Sequence, residues 1–175
     1  LCPVGTFQDG PAQTECEDCP VGKHSRPDRT VCTSCAVGTY QPVTRALSSK
    51  QCHPCPVGTF QDSLGQFVCK TCHEGEYQPF IGATTCTACP VGQVAANVTS
   101  SACALCQPGH FQDQEGQSWC KECPVDQFQS NRGASGCDVC PDAAVKTSST
   151  LTMKGKRTVD DCKCARGFTN TDTST

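Results

Sequence analysis

Long hydrophobic runs are missing from this chain. No segment approaches the roughly 20 apolar residues of a membrane span, and no signal-peptide pattern is present. Large apolar side chains are scarce too: of 175 residues only 36% are apolar, cysteines included, with one methionine and one tryptophan. That is too little to build a core of the size expected at this length. A net charge of −3 and a pI near 5.7 provide no basic face for nucleic acid. Glycine and proline are dense and no apolar 3.6-residue period survives, which excludes extended helix. The chain opens Leu1-Cys2-Pro3 without a methionine and reads as a processed or partial piece.

Cysteine takes the place of the missing core. There are 19 cysteines, about one residue in nine, alongside 15 glycines and 12 prolines, a level that marks a disulfide scaffold. Covalent or metal cross-links must substitute for burial. The cysteines stand at 2, 16, 19, 32, 35, 52, 55, 69, 72, 86, 89, 103, 106, 120, 123, 137, 140, 162 and 164. Eight C-x-x-C pairs recur, and the step between opening cysteines is 17 in six of nine intervals, the others being 16, 20 and 24. A fixed short period is the signature of an array in which each unit stacks on its neighbours. Repeats one to eight span 2–18, 19–34, 35–54 (a long one), 55–71, 72–88, 89–105, 106–122 and 123–139. An atypical ninth with a Ser/Thr-rich insert spans 140–163, and 164–175 begins a tenth.

Several slots keep their register. Three residues after the opening cysteine come Gly5, Gly22, Gly38, Gly58, Gly75, Gly92, Gly109 and Gly167, which implies positive φ or close backbone approach. Asp126 and Ala143 take that slot in two repeats. Alanine tolerates the left-handed conformation poorly, so the repeat at Cys140 is expected to fold differently. Two residues further on, Phe7, Tyr40, Phe60, Tyr77, Phe111, Phe128 and Phe168 recur, seven of the ten aromatic residues, with His24, Val94 and Val145 in the other repeats. One large ring per unit suits packing over the unit's own disulfide and the joint to the next. Gln-Asp or Gln-Pro follows, as in Gln61-Asp62 and Gln78-Pro79, and a second glycine falls ten after the cysteine at Gly65, Gly82, Gly116 and Gly133. The pattern reads as a short strand, a polar turn and a return strand. The expected fold class is small and disulfide-rich, a tandem array of 17-residue irregular β-hairpin modules with little or no helix.

Parity then organises the cysteines. Joining each opening cysteine to the next gives Cys2–Cys16, Cys19–Cys32, Cys35–Cys52, Cys55–Cys69, Cys72–Cys86, Cys89–Cys103, Cys106–Cys120, Cys123–Cys137 and Cys140–Cys162, and leaves Cys164 over. Cys164 restarts the opening motif with Gly167 and Phe168, so its partner is expected beyond Thr175 and its being unpaired reads as truncation. Loops of this size contribute roughly 3 kcal/mol each. Crossed pairs between successive C-x-x-C units satisfy the same parity. Zinc is a further claimant, because Cys52, Cys55, Cys69 and Cys72 have the spacing of a four-cysteine finger. Against zinc, the spacing recurs without a break, so no pair is assigned to one neighbour. Asn97-Val98-Thr99 is moreover an N-glycosylation acceptor, which makes sense only in a secreted chain. A thioredoxin-like redox role lacks the βαβ context it needs.

The motif C-P-x-G-x-[FY]-Q…C-x-x-C resembles the ephrin-receptor-like cysteine-rich repeats, relatives of the modules of tumour necrosis factor receptors and of growth-factor-receptor cysteine-rich domains. The stretch Asp161-Cys162-Lys163-Cys164 running into Gly167-Phe168 is similar to that family's usual end. The resemblance covers Cys2 to Phe168. It implies an elongated, disulfide-stapled, extracellular or cell-surface array with adjacent cysteine pairing and no catalytic residues. Such arrays occur in receptor ectodomains and, in long runs, in large surface proteins of protists and algae; this many consecutive units resemble a long run.

Few residues suggest chemistry. His24, His53, His73 and His110 share no metal spacing, no nucleophile–base order stands out, and neither an enzyme nor a cofactor is expected. Asp9, Asp62 and Asp113 precede a turn, one carboxylate per unit being too few for calcium. Trp119 is either an interface anchor or a cover for its own disulfide. Asn97 is the candidate glycan site, residues 147–152 and 169–175 read as Ser/Thr-rich loops, and Lys154-Gly155-Lys156-Arg157 resembles a basic processing site. The leading expectation is a structural segment of an extracellular rod, stalk or filament protein, such as a flagellar hair (mastigoneme) or surface fibre. Its partners would be other protein chains, copies of itself or neighbouring domains, together with glycans, with no nucleic acid and no membrane insertion. The rivals are a receptor ectodomain whose ligand patch lies at the irregular repeats from Cys19 and Cys35, and a zinc-binding interaction array.

Overall fold

A computed structural model describes residues 2–8, 10, 15–141 and 154–162. Asp9, Ala143, Val145, Cys164, Gly167, Phe168 and the Ser/Thr-rich stretches 147–152 and 169–175 lie outside the described residues. The chain forms two compact units, one of Leu1–Thr87 with Asn97–Ala102 and one of Ala88–Ala96 with Cys103–Thr175.

Within each unit the strands are two or three residues long and pair with the next strand in sequence as two-stranded sheets. In the first unit, Thr59–Phe60 pairs antiparallel with Lys70–Thr71, setting Phe60 opposite Lys70. In the second, His110–Phe111 pairs with Lys121–Glu122, and Phe111 faces Lys121. The ring slot is thus the first strand, and the residue after the closing cysteine is its cross-strand partner. Two 3-10 turns, Ser49–Gln51 and Val159–Cys162, are the only helix among the described residues. Both take up extra length, one in the third repeat and one in the ninth.

Nine disulfides join Cys2 to Cys16, Cys19 to Cys32, Cys35 to Cys52, Cys55 to Cys69, Cys72 to Cys86, Cys89 to Cys103, Cys106 to Cys120, Cys123 to Cys137 and Cys140 to Cys162. The opening cysteine of each of these bridges is buried. The rings are only half-buried, whereas the residue after them is at the centre of the fold: Gln41, Gln61 and Gln112 are at most 1% exposed, and Gln78 and Gln129 are buried as well.

A buried glutamine needs a reason, and ladders of two residues supply it. So short a hairpin leaves most interior peptide groups without a strand partner, and buried peptide groups must find one. Gln61 acts as a surrogate length of backbone. Its Nε2 donates to the Val68 carbonyl at 2.8 Å, and its Oε1 accepts from the Ser63 N–H at 3.1 Å. Gln112 does the same with Trp119 and Gln114, and Gln129 with Gly136 and Asn131. Side-chain amides carry both a donor and an acceptor, so both ends of the gap are closed.

The backbone of the same glutamines joins one repeat to the next. In the first unit the Gly38 N–H donates to the Gln61 carbonyl at 2.7 Å, and the Gln61 N–H donates to Ala83 at 3.0 Å. In the second, Gly92 donates to Gln112 at 2.7 Å and Gln112 to Ala134 at 3.0 Å. The first glycine reaches further still. At Gly38, with φ of 76°, a β-carbon would fall inside the Gly82 carbonyl two repeats along. Gly92 stands in the same relation to Gly133. Each repeat is therefore tied to its second neighbour as well as its first, a closer stacking than nearest-neighbour repeats require. Asp126 occupies the first-glycine slot with φ of 64°, using the tolerance of short polar side chains for the left-handed region.

Candidate functional site: exposed turns and a cleft at the irregular repeats

The residues singled out in the sequence are spread over separate hairpins. His53 meets the Tyr40 ring at a centroid distance of 5.8 Å. His73 Nδ1 lies 3.3 Å from Glu76 Oε2, and His110 Nδ1 lies 3.4 Å from the Pro108 carbonyl. Among the described residues no group of three or more His, Cys, Asp or Glu side chains is placed to hold a metal ion. No helix among them is long and apolar enough to cross a membrane.

Asp62 and Asp113 are each taken by a lysine. Lys70 Nζ and Lys121 Nζ donate to them at 2.6 Å while lying over the Phe60 and Phe111 rings at 5.8 and 5.9 Å. The Lys70 hydrogen bond, with a second from the Ser63 hydroxyl, holds the Asp62 carboxyl below the usual aspartate range. Lys121 does the same for Asp113. These are exposed contacts that add little to stability. They order the ring slot by cross-strand pairing, the sheet's normal device.

Asn97 is exposed at the head of a turn, its carbonyl accepting from the Ser100 N–H and hydroxyl. Trp119 is 59% exposed, and its carbonyl anchors Gln112. The basic segment at 154–157 is stitched into the second unit: Gly155 N–H donates to the Cys123 carbonyl and Gln129 N–H to the Lys156 carbonyl. The carboxylate of Asp161 accepts from the Arg157 and Thr158 N–H groups at 2.9 Å, which holds it below the usual aspartate range. Backbone bound in this way is not presented to a processing protease.

One concave site gathers residues from several repeats of the first unit. Repeat two breaks the pattern at three slots at once, with His24 for the ring, Ser25 for the buried glutamine and Arg29 for the second glycine. These three line a cleft of about 340 Å³, together with Arg26 and with Leu47 and Ser48 from the longer third repeat. The cleft follows from the substitution together with the longer third repeat, whose Leu47 and Ser48 help to line it. In repeats three, four, five, seven and eight a glutamine side chain fills the hairpin interior, whereas Ser25, like Ala95 in repeat six, is too short to cross it. Its hydroxyl accepts from the Gly5 N–H at 3.0 Å and donates to the Leu47 carbonyl at 3.1 Å. Arg29 sits at φ of 57°, where a non-glycine residue costs about 1–2 kcal/mol. Its Nη1 donates to the Cys2 carbonyl at 2.6 Å. Arg26 is paired with Asp28 only loosely, at 3.7 Å, with both side chains about half exposed. Sequence reasoning marked these repeats as irregular without showing that their irregular side chains converge.

No curated protein matches the sequence. Among solved structures, one chain of the human RANKL/OPG complex is 18% identical, covering 76% of this chain and 93% of that one, with a TM-score of 0.24, too low to argue from. The family described as tyrosine-protein kinase ephrin type A/B receptor-like matches residues 22–65, 44–73, 64–102 and 94–140. Those matches run without a gap from residue 22 to residue 140, more than half of the sequence, and the chain belongs to this ephrin-receptor-like repeat family.

Proposed function

We propose that the protein is a non-catalytic structural segment of an extracellular rod, stalk or filament protein, a flagellar hair or surface fibre being the kind of assembly it suits. The observation that carries this reading is the stitch between repeats. In both units the first glycine donates its N–H to the next repeat's glutamine and lies against a carbonyl two repeats along. Such a repeat gains its stability from its neighbours and its bridges rather than from a core of its own. The disulfides confine the protein to an oxidising compartment, and the exposed Asn97 turn offers a glycan acceptor there. Its partners are other proteins, either copies of itself or the domains that flank it.

Negative-stain microscopy of the full-length protein, with and without reductant, tests the reading. Fibres or stalks of uniform width that disintegrate on reduction are the expected result. A monodisperse ectodomain that never assembles and saturates with one soluble ligand overturns it.

A further inference from the structure

The cleft in the first unit does something the stitched repeats do not require. At the second-glycine slot four repeats carry glycine at φ of 70–72°, whereas repeats two and three carry Arg29 and Arg45 at φ of 57° and 62°; Arg45 is paired with Asp18 at 3.3 Å, and Arg29 lines the cleft. Repeat six departs at the same three slots with the uncharged Val94, Ala95 and Thr99. In repeat two the departures come with Arg26 and Arg29 and, with the insertion in the next repeat, open on a single cleft, which has the form of a binding site grafted onto the repeat.

We propose that this cleft is a docking subsite for a protein segment that presents a carboxylate beside an aliphatic side chain. Guanidinium groups offer planar forks of N–H donors that match a carboxylate, and Arg26 and Arg29 both face the cleft. Ser48, on the rim, adds a hydroxyl, and its side chain makes no capping hydrogen bond to the 3-10 turn it precedes. Val4, Pro27 and Leu47 form the apolar wall, Val4 and Leu47 being 45% and 50% exposed. An extended sulfated sugar is disfavoured by the same geometry. It needs a run of basic groups, whereas this pair is bracketed by apolar side chains with Asp28 beside Arg26, on a protein of net charge −3. The subsite goes beyond the structural role and stands whether or not the protein assembles.

The carboxylate has two natural sources, an acidic side chain or the free end of a polypeptide, and two probes separate them. Ac-Leu-Asp-NH2 and Ac-Leu-OH are titrated separately into the ¹⁵N-labelled 175-residue protein, with Ac-Leu-Asn-NH2 and a heparin-derived tetrasaccharide as comparisons. At least one carboxylate probe is expected to give saturable shifts at Arg29, Leu47 and Ser48, with a Kd on the order of millimolar. The tighter of the two names the source. Arg26→Ala and Leu47→Ser each weaken binding, Arg26→Ala by about tenfold, the scale of one charge-assisted hydrogen bond. Asp28→Asn, which removes the competing carboxylate, tightens it. Unchanged resonances outside the cleft show that each variant is folded. No saturable shift from either carboxylate probe overturns the proposal, as do equal binding of the Asn peptide, indifference to Arg26→Ala, or tighter binding of the tetrasaccharide at the same residues.

Discussion

Repeats two and four belong to the same unit and are built on the same plan, yet they handle their interiors in opposite ways. Repeat four fills its hairpin with Gln61, bonded at both ends of its amide, roofs the ring of Phe60 with Lys70, and turns on Gly65 at φ of 70°. Repeat two places His24, Ser25 and Arg29 in those slots and leaves a cleft. Stability in this fold rests on a few positions, all in the backbone or bonded to it. A repeat that gives one of them up survives because its bridge and the stitches to its neighbours remain.

The largest effect is expected at the stitch itself. Gly38→Ala in the first unit forces a β-carbon into the Gly82 carbonyl at a positive φ, and should cost about 3–5 kcal/mol by denaturant unfolding of the oxidised protein. Gly136→Ala, which meets nothing within 4 Å, should stay within about 0.5 kcal/mol of the parent. Equal losses at the two glycines would mean that the second-neighbour contact is unimportant.

The interior slot comes next. Gln61→Ala strands the Val68 carbonyl and the Ser63 N–H in a buried site and should cost about 2–4 kcal/mol. Ser25→Ala strands the Gly5 N–H and the Leu47 carbonyl beside a cleft that water enters, and should cost roughly 1 kcal/mol. The difference is measured by hydrogen exchange in the first unit.

Swapping the second-glycine slot is a smaller test of the same contrast. Arg29→Gly relieves a left-handed side chain but loses the bond to Cys2, so its unfolding free energy should change by less than about 1 kcal/mol. Gly65→Arg brings the strain without the partner, and its β-carbon crowds Ser34. It should therefore destabilise clearly in the same assay.

The smallest effect concerns the exposed lysine–aspartate pairs. Because Asp62 is held below the usual value near 3.8, its contribution is present above that pH and lost as pH falls through its lowered pKa. Carboxyl-carbon titration by NMR should show Asp62 and Asp113 titrating below the usual aspartate range. Lys70→Met should raise Asp62 toward the ordinary range, the Ser63 hydroxyl still holding it down, and leave Asp113 where it was.

The hairpin module, its period and the near absence of helix were legible in the sequence, because cysteine spacing and glycine register are local signals. The role of the glutamine slot was not. Gln41, Gln61, Gln78 and Gln112 read as the polar end of a strand entering a turn, since glutamine is mostly a surface residue. Their constancy between a variable ring and a variable turn was the available hint: a polar residue that recurs at one slot has a fixed partner. The second-neighbour contact of Gly38 with Gly82 was beyond reach, because it depends on how little each repeat advances along its unit and no residue encodes that alone. The cleft was half legible. His24 stood out as a departure and Arg29 did not, and their meeting with Leu47 depends on where the longer third repeat folds back.

The adjacent bridges also decide what happens when the protein is pulled. Each disulfide short-circuits its own hairpin, with Cα atoms 5.6–5.8 Å apart across the bridge, so tension passes from bridge to bridge through the three-residue steps between them. Stretched taut from Cys2 to Cys162, the oxidised path is roughly 14 nm, against roughly 56 nm once the bridges are reduced. Under load the hairpins can lose their hydrogen bonds without releasing their loops. Redox state thus sets how far this segment extends, and in its oxidised form it behaves as a tether of nearly fixed maximum length.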